Sequence, residues 1–407
     1  MKRVLWVTEE PPDRRLGGGN IRQAHLLLAL AGSVAVDLAV AGPVHDEGVR
    51  SAVREVIEVP KRRALMPTWP PTRRAVQLAL AAGARYPLQT YMAGPARRAL
   101  RARLSARLGD YELVSVEHEG LAPLLFELPA QRSVLTFHNL QSEVIQSEVG
   151  LAPGARQRWF RERELDKARR AEHRALATYD RCVVCSADDA AALAALADPE
   201  PAGRIEVIPN GADLGSFEEV PLPEEPTVLF PGTLAYPPNV DGALWFSSEV
   251  WPRVLRAVPA ARLILAGRSP APEILELAAQ PSVSVQADVP SMVPWFEAAR
   301  VVVVPLRIGS GTRVKALEAL AAGRPVAGTT IGLAGLDLAD GVHVRMADQP
   351  AVLAAAIVEL LRDPVRAASL AQAGREHVRD SFAWELIGRR FTQLVEELLE
   401  APARRPA

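Results

Sequence analysis

Val301-Val-Val-Val-Pro-Leu-Arg-Ile-Gly-Ser-Gly-Thr-Arg-Val-Lys-Ala-Leu-Glu-Ala-Leu-Ala-Ala-Gly-Arg-Pro-Val326 runs from an unbroken apolar stretch through a two-glycine loop into helical spacing. A second apolar run then opens after Gly-Arg-Pro. Strands that read apolar throughout, rather than alternating, belong to parallel sheets covered on both faces by helices. Similar runs recur at Val4–Thr8, Val34–Val40, Leu113–Glu117, Ser133–Phe137, Arg181–Cys185 and Ile205–Ile208. They resume at Thr227–Phe230, Arg262–Ala266 and Val283–Gln286, with helical stretches between them. The pattern predicts an α/β protein with doubly wound parallel sheets.

At 407 residues the chain exceeds what one hydrophobic core usually supports, so two domains are expected. The turn chemistry of Pro209-Asn-Gly-Ala-Asp213 and the acidic, proline-rich stretch up to Pro226 mark a linker. The division is 1–208, a hinge at 209–226, and a second Rossmann-like domain over 227–381. Residues 382–407 hold apolar positions at helical spacing, a terminal amphipathic helix packing back towards the first domain. Two such lobes facing each other would place ligands beyond the strand carboxyl ends.

A net charge of −1 gives no signal for nucleic acid as a partner. The run before Glu9 is too short for a secretion signal, and the apolar tract from Ala24 to Pro43 is broken by Gly32 and Asp37. A helix followed by a strand accounts for that tract better than a membrane span. Cys182 and Cys185 form a C-x-x-C inside an apolar strand, without the second pair a zinc site needs. They read as packed core thiols, and unbridged cysteines suit the cytoplasm. Residues 51–107 carry twelve lysines and arginines against Glu55 and Glu58. That stretch suits either docking on an anionic membrane face or phosphorylated acceptor, or a solvated arginine-rich surface.

Gly309 and Gly311, flanking Ser310 and followed by Thr312, allow backbone amides to approach a ligand at a helix start. Arg313 and Lys315 then sit in the first helical turn, where cations oppose the helix dipole. A bound diphosphate would turn that conflict into attraction; otherwise the two are solvated surface cations. Glu318 lies about 40° around the helix from Val314, at the margin of the apolar stripe. It could accept from a pair of ribose hydroxyls or pair with Lys315.

With Glu318 followed by Ala321-Ala-Gly-Arg-Pro-Val326, the segment resembles the carboxyl-lobe signature of retaining GT-B glycosyltransferases of family 4 (glycosyl transferases group 1). Ile208-Pro-Asn-Gly-Ala-Asp213 is similar to the family's hinge motif. Leu229-Phe-Pro-Gly-Thr-Leu-Ala-Tyr-Pro-Pro-Asn-Val-Asp241 resembles its first carboxyl-lobe strand and loop, and puts Gly232 among the donor contacts. The resemblance implies a hexosyltransferase-like enzyme. It would take a nucleotide-diphosphate sugar as co-substrate, with retention and with no cofactor or metal. The acceptor would be a glycan, a lipid-linked molecule or a small molecule. Glu318 matches the glutamate that holds the nucleotide ribose, whereas Ser310 stands where the family has a glutamate on the donor sugar. The Arg and Lys that many members carry in the first loop are missing here, leaving Arg313 and Lys315 as substitutes.

In the amino lobe, Gly17-Gly18-Gly19-Asn20 reads as a simple flexible loop or, as the resemblance implies, as the loop under the donor phosphates and near the acceptor. Val116-Glu-His-Glu-Gly120 resembles the family's histidine motif, which makes His118 the donor-sugar contact; His138 is a second strand-end histidine. Arg268 and Val289 follow strands facing the same crevice and are assigned to the donor nucleotide. A GT-B-shaped module that binds without turnover, and a nucleotide-sugar epimerase, are the alternatives.

Overall fold

A computed structural model describes residues 2–15, 18–61, 76, 79–80, 82–126, 128, 130–150, 154–197, 202–217, 220–309 and 313–401. Gly17, Ser310, Gly311, Thr312 and the span 62–75 lie outside the described residues. The chain divides into two compact units, Met1–Pro209 with Trp384–Ala407, and Asn210–Ala383.

The first unit is built on strands β1 (Arg3–Thr8), β2 (Ala35–Ala41), β3 (Glu55–Val59), β4 (Leu113–Glu117), β5 (Ser133–Thr136), β6 (Arg181–Val184) and β7 (Ile205–Val207). They pair in parallel in the order β3-β2-β1-β4-β5-β6-β7. Placing β1 and β4 side by side at the centre brings residues 8–10 and His118 to the same sheet end. Helix α1 (Gly18–Ala31) covers one face, while α2 (Leu88–Met92) and α3 (Ala155–Thr178) flank the region after β4.

The second unit holds β8 (Thr227–Thr233), β9 (Arg262–Arg268), β10 (Val283–Ala287), β11 (Val301–Val304), β12 (Val326–Gly328) and β13 (Arg345–Met346). Their order is β10-β9-β8-β11-β12-β13, again parallel. Helix α4 (Pro237–Trp245) follows β8, and α5 (Val314–Ala321) follows β11. The strands β8 and β11 are buried almost throughout, which is why they read as continuous apolar runs.

The last helix, α6 (Trp384–Glu400), completes the first unit. It buries Trp384, Ile387, Phe391, Val395 and Leu398. Phe391 meets Trp6 of β1 edge-on at 5.7 Å, and Trp384 stacks on His25 of α1 at 4.7 Å. Gly388 is required there, because a Cβ would come 2.6 Å from Ala29 of α1. Arg22, 1% exposed, donates from α1 to the carbonyls of Ile208 and Pro209 at 2.7 Å each, satisfying both where the chain leaves the unit.

Cys182 and Cys185 form no disulfide and are buried, and burial pushes the Cys185 thiol up to about 11, far from a reactive thiolate. No helix among the described residues is long and apolar enough to cross a membrane.

Candidate functional site

In the second unit the carboxyl ends of three neighbouring strands are drawn together by backbone that only certain residues tolerate. Gly232 closes β8 with φ +149° and Gly267 closes β9 with φ +154°. A Cβ on Gly267 would fall inside the radius of the Gly232 carbonyl oxygen, so this approach excludes every other residue. After β10, Asp288 adopts φ +51° and donates its N–H to the Gly267 carbonyl at 2.7 Å. Its carboxylate accepts from the Ser269 N–H, also at 2.7 Å. Arg268 and Val289 therefore flank a stitched strand edge, and non-glycine residues at positive φ, as at Ser269 and Asp288, cluster where a site is over-determined.

Strand β11 leads to Gly309, φ +130°, over which the guanidinium of Arg313 packs; a Cβ there would lie 3.3 Å from both terminal nitrogens. The sequence puts the helix start near Thr312, with Arg313 inside the first turn. In the structure α5 begins at Val314 and Arg313 is its N-cap. Its side chain bends back, and Nε donates to Ile331 O at 2.9 Å. A residue held by the carbonyl of a neighbouring short helix, Thr330–Leu333, is pulled out of helical geometry, which explains the two-residue shift.

Lys315 does occupy the first turn, and it reaches the end of β8. Its ammonium donates to Asn239 Oδ1 at 2.5 Å, and lies 5.2 Å from the Phe230 ring centre and against the bare face of Gly232. Asn239, on α4, is locked in turn by donating to Thr233 O at 2.8 Å. Sequence reasoning gives Asn239 no role, since an Asn after two prolines signals only a helix start. No ion pair joins Lys315 to Glu318 among the described residues, so the surface-pair reading of these two is not the one adopted. Both are half-buried by accessible area, yet dense packing governs their chemistry. Burial, reinforced by Arg313, lowers Lys315 to about 7. Burial raises Glu318 to about 7 against the opposing pull of Lys315 and Arg268.

In the first unit the site gathers at His118. It follows β4 with φ +82°, a conformation that costs a non-glycine residue free energy and marks a constrained position. Its Nδ1 accepts from Gly120 N–H at 3.1 Å, and its Nε2 lies 3.6 Å from Glu119 Oε1. The Gln89 amide lies 3.2 Å from Nε2. Behind it stands His138, edge-on with ring centres 5.5 Å apart and Nε2 3.7 Å from Glu117 Oε2. Burial holds the His138 pKa below its ordinary value, against the opposing pull of Glu117. Gly18 opens α1, and Gly19 lets that helix start against His138, where a Cβ would come 2.8 Å from Nδ1.

Beside His118 opens a cavity of about 420 Å³, within the usual range for small-molecule pockets. Thr8, Glu9 and Glu10 at the end of β1 form one side, with Gln23 of α1. The opposite wall is α2 with Ala93. That short helix is pinned by Glu164 of α3, which accepts from Leu88 N–H at 2.6 Å and from Lys167 at 3.0 Å. Three cations of the basic stretch are engaged in ion pairs within the unit: Arg54 pairs with Asp37, Arg107 with Glu55 at 2.6 Å, and Lys61 with Glu10 at 2.8 Å.

The profile described as Glycosyltransferase Family 4 matches residues 16–216, and that described as Glycosyl transferases group 1 matches residues 225–363. The chain belongs to the group 1, family 4 glycosyltransferases. This family 4 member is 33% identical over 161 residues to a GDP-mannose-dependent monoacylated α-(1-6)-phosphatidylinositol monomannoside mannosyltransferase of Corynebacterium glutamicum. It is 34% identical over 113 residues to a D-inositol 3-phosphate glycosyltransferase of Thermobispora bispora. These stretches cover 36% and 27% of this chain, and 42% and 26% of the relatives. Among solved structures, sucrose-phosphate synthase from Thermosynechococcus elongatus matches with TM-score 0.73 at 21% identity, over 99% of this chain and all of that one. Anabaena HepE in complex with UDP-glucose matches with TM-score 0.64 at 14% identity, over 98% and 100%. Likeness at such low identity establishes the fold alone: two Rossmann-like parallel-sheet domains of the GT-B type.

Proposed function

We propose that this chain transfers a hexose from a nucleotide-diphosphate sugar to an acceptor hydroxyl with retention of configuration. The observation that carries this reading is Lys315 reaching from α5 to the bare face of Gly232 at the end of β8, with Arg313 over Gly309 and the buried Glu318 on the same helix, in a member of this family. A cation pair beside glycine backbone is suited to the charge that builds on a departing diphosphate. Arg313 and Lys315 would neutralise it, so that no metal is needed for that role. Glu318, as a carboxylate, would accept from both ribose hydroxyls, with Arg268 and Val289 towards the base. Gly309, with Ser310, Gly311 and Thr312, would supply the loop, and His118 with Gly17 and the Gly18–Gly19 start of α1, helical rather than the loop the sequence suggested, would orient the sugar. The bond from the anomeric carbon to the phosphate oxygen breaks as that to the acceptor oxygen forms on the same face. The acceptor proton leaves on the phosphate.

The chain spans less than half of the relatives it matches in sequence, so donor and acceptor are for experiment. Incubation with GDP-mannose and with UDP-glucose, followed by release of nucleoside diphosphate, tests the reading. No release from any donor sinks the transferase. A second reading, binding without turnover, is favoured by Ser310 in place of the family's glutamate. It expects thermal stabilisation by nucleoside diphosphates, about 2.7 kcal/mol at a hundredfold excess over Kd, with the donor left intact.

A further inference from the structure

We propose that Asn239 is a positioning residue, which aims the Lys315 ammonium at the end of β8 and keeps its charge uncancelled for a diphosphate. This rests on the transferase reading and adds the residue that serves its cation. Asn239 is 4% exposed, in the first turn of α4, and both ends of its side-chain amide are engaged. Its backbone N–H donates to Tyr236 O and its Nδ2 to Thr233 O, each at 2.8 Å. Both bonds lie within the turn from β8 to α4, so the amide is oriented independently of Lys315. With Nδ2 committed to a carbonyl, Oδ1 is the atom left for the ammonium, which donates to it at 2.5 Å. Gly232 makes room for both groups: a Cβ there would lie 2.8 Å from Lys315 Nζ and 2.9 Å from Asn239 Nδ2.

The chemistry of the holder matters as much as its position. Lys315 forms no ion pair among the described residues; its partners, the amide oxygen and the Phe230 ring at 5.2 Å, are neutral. An amide oxygen orients a cation without cancelling it, whereas a carboxylate pairs with the charge and spends it. The same helix shows the other case. Asp241, two residues further on, takes Arg307 in a two-bond ion pair at 3.0 and 2.5 Å. One helix thus neutralises the cation at 307 and leaves the one at 315 available.

The full chain holds four lysines, Lys2, Lys61, Lys167 and Lys315. Carbon-13 NMR of lysine labelled at Cε can therefore follow the Lys315 titration without any ligand, its signal assigned by loss in Lys315→Met. Arg313 and Glu318, the other charges acting on Lys315, stay in place in both variants tested. Asn239→Leu is expected to lower the Lys315 midpoint by about one pH unit, and Asn239→Asp to raise it by about as much. At about pH 8, calorimetric affinity for UDP and GDP is expected to fall about tenfold in each, through loss of the charge in one and its cancellation in the other. In a Lys315→Met background, Asn239→Leu is expected to cost no further affinity. Unmoved midpoints, or an undiminished loss in that background, would make Asn239 a clamp on the turn alone and overturn the proposal. Failure of the wild type to bind either nucleotide sinks the transferase reading instead, and the lysine midpoints still decide whether Asn239 holds the charge.

Discussion

The two sheets end in opposite chemistries. In residues 210–383 the ends of β8 and β9 carry Gly232 and Gly267, with Lys315 against Gly232 and Arg313 over Gly309. In the first unit, the corresponding ends carry Glu9, Glu10, Glu117 and Glu119 with one strained histidine. The same doubly wound logic thus serves two purposes. One edge gathers cations beside glycine backbone; the other gathers carboxylates around a histidine. Positive φ occurs on both sides, borne by Gly232, Gly267, Gly309, Ser269 and Asp288 on one and by His118 on the other.

The largest test of this contrast is Arg313→Ala. Loss of a preorganised cation at the leaving group is expected to lower kcat by about 10²–10³-fold, measured with saturating donor. Turnover within threefold of wild type would remove Arg313 from that role. Gly267→Ala comes next. Its Cβ collides with backbone rather than a yielding side chain, so a loss of about 3 kcal/mol, the upper end for overpacking, is expected by denaturant unfolding. A wild-type midpoint would mean that the strand ends are not closed so tightly.

The titrating pair sharpens the contrast further. Lys315, lowered to about 7, must be protonated to attract a diphosphate, so affinity should fall as pH rises above that value. Glu318, raised to about 7, must be ionised to accept ribose hydroxyls, so affinity should also fall below it. Each limb approaches about tenfold per pH unit for one linked proton. Calorimetric titration of nucleoside diphosphate across this range should give a maximum near neutrality. Glu318→Gln should flatten the acid limb, apart from the part due to the ligand's own phosphate, and Lys315→Met the alkaline one. Unchanged profiles would break the assignment.

The smallest effect is at His118. Relief of its φ should make His118→Gly more stable than His118→Ala by about 1 kcal/mol in thermal melts, while both lose turnover. Equal melting would show that the backbone there stores no strain.

The parallel strands were legible because burial on both faces leaves a run such as Val301–Val304 no polar positions. Glu55–Val59 was not, since its alternating Glu-Val-Ile-Glu-Val sits inside a stretch dominated by arginine. Arg345–Met346 is too short to carry a period. Glycines and cations near Arg313 announced themselves by breaking helix rules. Asn239 and Gln89 did not, because an amide acquires its role only from the partner that folding brings to it. Nor does any sequence pattern reveal that His118, rather than a glycine, holds a positive φ.

Because α6 supplies Phe391 to Trp6 and Trp384 to His25, the unit that begins the chain is finished by the residues that end it. During synthesis β1 therefore waits, with the indole of Trp6 lacking its final cover, until the entire second unit has left the ribosome. The order of folding is thereby written into the connectivity: the inserted body can mature first, and the enclosing one closes last.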